Sequence, residues 1–214
     1  MEVSPNDLPV SHRYKLMTGL IVPRPIAWVS SLSAEGELNL APFSCFSIAS
    51  HDPLAISIAV TGCKPDGSWK DTGTNLMPVD QGGTGEFVVN VVTEAQAAAM
   101  AASARPVAAD TSEFTLTGMS PAASRQVAPP RVAGAPAAFE CRTLQMIEVG
   151  SSRLFIGQVV HIAVEDEIID KDTRVDFDKL AAVGRLAGTA YARITDRLHL
   201  ADEGYFPRAR GSEQ

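Results

Sequence analysis

The sequence has few of the residues that build metal sites and disulfide frameworks. It contains three cysteines, Cys45, Cys63 and Cys141, and four histidines among 214 residues. The cysteines are odd in number and far apart, which argues against a disulfide framework and fits a reducing compartment. No two of them have zinc-site spacing, and the histidines form no HExxH motif. We therefore expect neither structural disulfides nor a metal site.

Long apolar runs and an excess of basic residues are also absent. No stretch approaches the roughly 20 apolar residues of a membrane-spanning helix, and the first residues lack the basic and apolar regions of a signal peptide. With 18 Lys and Arg against 25 Asp and Glu, the net charge is −7, which opposes a large phosphate-tracking surface. The sequence thus predicts a cytoplasmic protein without nucleic-acid or membrane partners.

The glycine-rich loops of dinucleotide-binding folds are missing as well. Neither GxGxxG nor GxxxxGK[ST] occurs, and the run Gly82-Gly83-Thr84-Gly85 precedes an apolar segment, whereas such loops follow a strand. We interpret this run as a turn. The lack of regular strand–helix alternation also argues against a Rossmann fold.

Short apolar runs with strand periodicity dominate the sequence. They are Ile26–Ser31, Ala55–Val60, Phe87–Val92, Phe139–Val149 and Leu154–Val164. In the second run large and small residues alternate. This predicts that one face of the strand is buried in a core and that the other face lies close beneath another part of the molecule. The last run is predicted to place Leu154, Ile156, Val160, Ile162 and Val164 on one face.

Helical signals are fewer. Thr93 and Gln96 form a plausible capping box for a short helix over Glu94–Ala104, and about two turns begin near Asp71. Asp178–Leu186 adds a turn or two. We interpret residues 105–136, rich in Pro, Ala and Ser, as a long connection over a barrel. The expected architecture is one mainly β domain over residues 1–214, an antiparallel barrel with its core at 14–193 and frayed ends at 1–9 and 201–214.

The densest unusual region runs from Pro23 to Ser47. A strand ending in Ser30 and Ser31 is followed by a Glu35-Gly36 turn and a second hydroxyl-rich stretch, so a hairpin is predicted to bring Ser30, Ser31 and Ser44 close together. Such donors suit a planar ligand with many acceptors, as a flavin is. The alternative interpretation is ordinary hairpin chemistry.

A second cluster of polar residues begins at Trp69. Asp71 or Thr72 is a natural helix N-cap, where a phosphate is favoured, and Lys70 adds a charge. Arg24, between two prolines, is a candidate second cation for the same phosphate. A plain capped helix with a solvated lysine is the alternative. Further along, Arg185 and Tyr191 either reach a ligand edge or belong to a packed loop.

The order of these motifs resembles the flavin-reductase-like family of FMN-binding split barrels. Between Tyr14 and Arg193 the sequence contains PRPIAWVSS, NLAPFSCFS, a DP step before an apolar strand, KDTGTN, GEFVVNVV and GRLAGTAYAR, in that order. The resemblance implies an antiparallel split β-barrel with a few short helices. It also implies a homodimer in which FMN lies in a groove near the dimer interface.

The resemblance also implies which residues contact the cofactor. Ser30, Ser31 and Asn39 are expected at the flavin ring, together with the segment Ala41, Pro42, Phe43, Ser44, Cys45, Phe46 and Ser47. Lys70, Asp71 and Thr72 are expected on the phosphate side with Arg24 nearby, while Arg185 and Tyr191 close the site of one or the other subunit. Cys45 departs from the family pattern, which has a larger residue there, and this bears on substrate choice.

The function implied is an FMN-dependent oxidoreductase of the flavin-reductase type. NADH or NADPH would deliver a hydride to flavin N5, and the electrons would pass to oxygen, free flavin or a partner oxygenase. Because the cofactor supplies the chemistry, no side-chain general base is required, and the sequence shows no catalytic triad or acid–base pair. The alternatives are an FMN-binding electron carrier or sensor without turnover, and a flavin-free structural barrel.

Overall fold

The computed structural model describes residues 2–64, 66–105 and 111–198. The strands are β1 Ala27–Leu32, β2 Leu38–Phe43, β3 Phe46–His51, β4 Leu54–Thr61, β5 Glu86–Val91, β6 Pro121–Ala122, β7 Arg131–Val132, β8 Ala137–Val149, β9 Ser152–Val164, β10 Val183–Arg185 and β11 Tyr191–Arg193. The α-helices are α1 Val10–Leu20, α2 Asp71–Asn75, α3 Ala97–Ala102, α4 Glu113–Thr117 and α5 Phe177–Leu180. Single 3₁₀ turns lie at Pro5–Asp7, Val79–Gln81 and Asp166–Ile168.

Seven strands form one sheet in the order β2-β1-β5-β8-β9-β4-β3, and every neighbouring pair is antiparallel. The two edge strands, β2 and β3, follow each other in the chain and are joined by Ser44 and Cys45. The Cys45 carbonyl oxygen accepts a hydrogen bond from the Ala59 amide at 2.8 Å, which fastens this corner to β4. The sheet thus curls until its edges meet at the corner, so that neither edge is left wholly open.

The five apolar runs of the sequence are strands, but the single face predicted along the last of them is wrong. A β-bulge lies between the Glu140–His161 and Cys141–Val159 pairs, so Val160 is an extra residue in β9. An extra residue reverses the inward and outward positions beyond it. Val160 and Ala163 therefore pack against the same small cluster, and Ile162 and Val164 do not continue the face of Leu154 and Ile156.

The predicted helices are shorter than expected, and two helices, α1 and α4, were not predicted. The capping-box bonds form, because the Gln96 amide donates to Thr93 Oγ1 at 3.3 Å, but the helix itself is only Ala97–Ala102. Helix α2 has five residues with Lys70 at its N-cap and no side-chain cap, so the predicted capping by Asp71 or Thr72 is wrong. Helix α1, not predicted, buries none of its residues.

The barrel interior is filled by aromatic and branched side chains from both halves of the sheet. Phe87, Phe155 and Ile58 are fully buried there, and Leu76 and Met77, just after α2, close one end. A Cβ at Gly157 would lie 2.4 Å from the Phe87 ring, so this glycine makes room for the ring. Burial of such side chains stabilises the fold by roughly 2 kcal/mol each.

A second layer covers only part of the outer surface. Trp28 and Leu40 on β1 and β2 pack against Met100 of α3 and Phe114 of α4. The outer surface of the β8–β9 hairpin has no such cover within the described residues. Leu144, Ile147 and Val149 are 52%, 40% and 59% exposed there, beside half-buried Leu154 and Ile156. We call these five residues the bare face.

The connection between α4 and β8 is held to the barrel by buried polar side chains. Glu140, fully buried on β8, accepts hydrogen bonds from the amides of Arg125, at 2.9 Å, and Gln126, at 2.6 Å. Asn90 accepts from the Val132 amide at 2.8 Å, and Ser30 donates to the Pro130 carbonyl oxygen at 2.5 Å. These bonds fix residues 125–132 across β5 and β8.

Candidate functional site

Helix α2 lies against the β1–β2 hairpin through two pairs of buried polar side chains. Asn39 Nδ2 donates to Thr72 Oγ1 at 2.8 Å, and Asn75 Nδ2 donates to Ser31 Oγ at 3.0 Å. All four residues are at most 8% exposed. Since buried polar groups without partners are costly, these pairs fix where the helix sits on the hairpin. The structure therefore brings the serine-containing hairpin and the Lys70 segment together.

The three serines predicted to meet do not meet. Ser30 and Ser31 are neighbours on β1 and point to opposite faces of the sheet, Ser30 toward Pro130 and Ser31 toward α2. Ser44 lies beyond the last hairpin pair, Ala27–Phe43, which is three residues or about 10 Å along the strand from Ser30. Ser30 and Ser31 are both fully buried, so they support the hairpin from within.

Arg24 was predicted as a second cation for the phosphate beside Lys70, but within the described residues its hydrogen bonds go to the end of α1, the β2–β3 corner and Leu186, and none reaches the Lys70 segment. Its side chain donates to the carbonyl oxygens of Thr18, Ile21 and Leu186 at 2.5, 2.8 and 3.0 Å, and to Ser44 Oγ at 3.2 Å. It therefore joins the end of α1 to the β2–β3 corner, at the end of the hairpin opposite to α2. The register is the reason, because α2 sits at the Ser31–Asn39 pair and Arg24 precedes the Ala27–Phe43 pair.

Arg185 and Tyr191 lie at the Arg24 end of the hairpin. The backbones of Arg24 and Arg185 exchange two hydrogen bonds, at 2.9 and 2.8 Å. The Arg185 guanidinium lies 4.4 Å from the centre of the Tyr191 ring and also donates to the Gly188 carbonyl oxygen. Both side chains are half-buried, so the pair is a packed cation–π contact with one side toward solvent.

The segment from Ala41 to Ser47 connects these two polar regions. Phe43 is buried in the barrel core, while Ala41, Pro42, Ser44 and Phe46 are half-buried and Cys45 and Ser47 are exposed. Along this segment the chain leaves one sheet edge and enters the other. A long ligand lying along β2 and this corner would contact both the α2 region and the Arg24 region.

Charged groups around the start of α2 differ in how they are paired. Exposed Asp71 accepts from half-buried Lys64 at 2.5 Å. Lys70 is exposed and has no ion pair within residues 2–64, 66–105 and 111–198. Glu113 accepts from the Leu40 amide at 2.9 Å, and its burial raises the pKa of its carboxyl, with a smaller contribution from the charge of Asp71. Lys70 is thus an exposed cation that no described residue neutralises, and it is available to an anion.

Arg153 is a residue of this region that the sequence did not point to. It lies at the start of β9, with its guanidinium 4.1 Å from the centre of the Trp69 ring and Nη1 donating to the Gly73 carbonyl oxygen at 2.9 Å. Its Nε is buried and has no hydrogen-bond partner in the described part of the chain. A charged residue at the start of a mostly apolar strand was the available signal. Glu140 and Asn90, polar residues inside apolar runs, gave the same kind of signal.

Other kinds of site find no support among the described residues. They contain no group of His, Cys, Asp and Glu arranged to hold a metal ion, and no helix long and apolar enough to cross a membrane. One cavity of about 50 Å³ is lined by residues that include Glu94, Phe177 and Arg193, and another of about 240 Å³ lies at residues 167–179. Neither involves a residue expected to contact flavin, so the candidate site is the surface along β2 and α2.

Comparison with known proteins adds independent information. The family model described as "Flavin reductase like domain" matches residues 18–180. Nitrilotriacetate monooxygenase component B from Bacillus cereus is 33% identical with a TM-score of 0.86, over 94% of this chain and 98% of that one. The 2-nitrobenzoate 2-nitroreductase NbaA of Pseudomonas fluorescens is also 33% identical, with a TM-score of 0.84 over 98% and 100%.

A more distant structure bears on the fold alone. A putative flavin reductase with a split barrel domain from Shewanella frigidimarina has a TM-score of 0.80 at 18% identity, over 94% of this chain and 98% of that one. The antiparallel sheet with edges meeting at the β2–β3 corner is the split barrel that the sequence predicted. On the family match and this fold together, the chain belongs to the flavin-reductase-like domain family.

Proposed function

We propose that this protein binds FMN along β2 and α2 and acts as an NADH- or NADPH-dependent oxidoreductase of the flavin-reductase type. The observation that carries the proposal is that the β2–β3 corner and Lys70, which has no ion pair among the described residues, lie along one strand in a chain that belongs to this family. The first supplies exposed hydroxyl and backbone groups, and the second supplies a positive charge.

The residues fit a phosphorylated flavin in their chemistry. Lys70 provides a full charge for a phosphate, and it does not depend on α2, whose five residues give only a small macrodipole. Asp71, paired to Lys64, and buried Thr72 hold the segment that carries Lys70. Cys45 and Ser47 are exposed on the corner, and the half-buried Ser44 hydroxyl, which accepts from Arg24, can still donate to a ring acceptor. Arg185 and Tyr191 are proposed to cover its far end.

When bound, the flavin would supply the redox chemistry, because it can accept a hydride from the nicotinamide and pass the electrons to an acceptor. The chain's own residues orient the reactants and exclude water. A buried cation at the corner also matters, because Arg24 is 8% exposed and its four hydrogen bonds all go to neutral acceptors. Its positive charge favours added negative charge nearby.

A homodimer is part of the proposal. The bare face, Leu144, Ile147, Val149, Leu154 and Ile156, is a contiguous apolar surface of the kind that marks an interface. Light scattering at micromolar concentration should give the mass of two chains, and Ile147→Asp should shift it toward one. A monomeric native protein would contradict the dimer.

The direct test of the proposed function uses the purified protein and its visible spectrum. We expect a yellow protein with FMN bound, and oxidation of NADH or NADPH that depends on the protein and is measured by the loss of nicotinamide absorbance. A protein that binds FMN but oxidises neither nicotinamide is a carrier or sensor instead. A colourless protein that ignores added FMN contradicts both.

The identity of the electron acceptor is the finer part of the proposal. Component B of a monooxygenase is among the similar structures at 33% identity, which supports an oxygenase partner that uses reduced flavin. The equally similar nitroreductase supports a second candidate, direct reduction of a nitroaromatic compound. Turnover with oxygen and with 2-nitrobenzoate as alternative acceptors, in the same assay, separates the two.

The cellular location proposed is the cytoplasm. Its support is that Cys45, Cys63 and Cys141 are all free thiols, which persist in a reducing compartment. Fractionation of the producing cells with an antibody to the protein checks it.

A further inference from the structure

We propose that Arg153 is the positioning residue for the phosphate end of the flavin site, acting through Trp69 on the segment that carries Lys70. The inference rests on the proposed function, since it concerns how the FMN phosphate is held. Nothing in the sequence motifs or in the family resemblance pointed to this arginine.

The first observation is where the Arg153 side chain goes. Glu148 lies directly opposite Arg153 in the β8–β9 register, where an ion pair across the strands would be available. No such pair forms. The guanidinium instead reaches α2, lies 4.1 Å from the centre of the Trp69 ring and donates to the Gly73 carbonyl oxygen at 2.9 Å. The contact to α2 is therefore the one the fold adopts.

The second observation is how α2 is held on its two sides. On the side facing β1 and β2, Thr72 and Asn75 bond to Asn39 and Ser31. On the side facing β4 and β9, a Cβ at Gly73 would lie 3.3 Å from Val60 Cγ1, and Arg153 donates to the Gly73 carbonyl oxygen. Because Lys70 is adjacent to Trp69, the stacked guanidinium sets the course of the chain into Lys70.

The third observation is the unpartnered Nε of Arg153, a buried donor without an acceptor in the described residues. Such a group costs free energy, so its retention needs a reason. A guanidinium stacked on an indole and bonded to a carbonyl restricts the Trp69–Lys70 backbone in a way that an apolar side chain cannot. In addition, its charge raises the positive potential where a phosphate would bind beside Lys70.

The test compares the affinity of the full-length protein for FMN and for riboflavin, which has the same ring and no phosphate. We expect Arg153→Gln to weaken FMN binding about fivefold, on the scale of one cation–π contact, and to leave riboflavin binding unchanged. Trp69→Leu should give the same selective loss, and the double variant should lose no more than either single variant. Arg174→Gln, an exposed arginine in the loop past the far end of β9, is the matched control.

Each outcome has a distinct meaning. Equal weakening of FMN and riboflavin, or no change in either, overturns the role of Arg153 while the flavin-binding proposal stands. Additive losses in the double variant overturn the action through Trp69. A native protein that binds neither compound removes the proposed function itself. Thermal unfolding of each variant, run alongside, shows whether an equal loss arises from a damaged fold.

Discussion

Two regions of this protein are held to the barrel by polar side chains, and they use them differently. The connection at residues 125–132 is fixed by Glu140, Asn90 and Ser30, whose bonds all go to groups of the chain. The segment from Trp69 to Asn75 is fixed on its inner side in the same way. On its outer side, however, the part of the chain that the structure describes offers no ion pair to Lys70 and no acceptor to Nε of Arg153.

The difference shows how polar residues that stabilise the fold can be told apart from polar residues that bind a ligand. A buried group whose hydrogen-bonding capacity is used within the chain contributes to stability and leaves nothing for a ligand. A charged group left over at a surface contributes little to stability and is available for binding. Variants in the first region should therefore change the unfolding free energy, whereas variants on the outer side of the second should change affinity.

The largest effect is expected at Glu140, on the connection side. Glu140→Gln keeps the size of the side chain but leaves the Arg125 and Gln126 amides a single neutral acceptor oxygen, with an NH₂ donor in place of the second carboxylate oxygen. We expect the unfolding free energy to fall by about 3 kcal/mol. Urea denaturation measures it, with exposed Glu148→Gln as control. An equal, small change in the unfolding free energy of both variants would contradict the structural role of Glu140.

A smaller loss is expected on the inner side of α2. Thr72→Val preserves the shape of the residue and removes the acceptor of the Asn39 amide, leaving that N–H buried without a partner. The expected loss in unfolding free energy is about 2 kcal/mol, again measured by urea denaturation. Thr74→Val, at an exposed position of the same helix, should change it little. If Thr72→Val leaves the stability intact, the inner side of α2 is not fixed as described.

For a variant on the outer side of the Trp69–Asn75 segment, we expect a change in FMN affinity and little change in the unfolding free energy. Lys70→Gln is expected to leave the unfolding free energy within about 0.5 kcal/mol of the native value. The same change should weaken FMN binding about tenfold, because a charge-assisted contact to the phosphate is lost. Flavin fluorescence titration measures the affinity, and Lys171→Gln is the control. Unchanged FMN affinity in the Lys70 variant would contradict the proposed placement of the phosphate beside Lys70.

The smallest effect concerns the pH dependence of stability at Glu113. Burial raises the pKa of this carboxyl above its ordinary value of 4.5, so the folded protein holds the proton more tightly than the unfolded chain. The unfolding free energy should therefore decrease as pH rises from about the ordinary carboxyl pKa through the raised one. Glu113→Gln, which can still accept from the Leu40 amide, should lack this decrease. Denaturation curves at a series of pH values check it, and parallel profiles for the two proteins would contradict it.

Much of the fold could be predicted because strand periodicity is local. The runs at Ala55–Val60 and Phe87–Val92 alternate or stay apolar within a few residues, and both are strands, β4 and β5. The face of β9 could not be predicted, because the bulge at Val160 is set by pairing with β8 and not by the sequence of β9 itself. Helix α1 was missed because none of its residues is buried, so no core-facing pattern marks it.

The candidate site likewise has features that local sequence predicts and features that depend on tertiary contacts. The chemical types present can be predicted from the residues alone, since hydroxyls, a proline-flanked arginine and a lysine before a short helix occur in order along the chain. The folded arrangement was needed to show that Ser30 and Ser31 face opposite ways, that Arg24 joins the β2–β3 corner, and that Arg153 reaches Trp69. Residue identity fixes what a side chain can bond, but which bonds form depends on strand register and helix placement, and these are set by contacts between residues far apart in the chain.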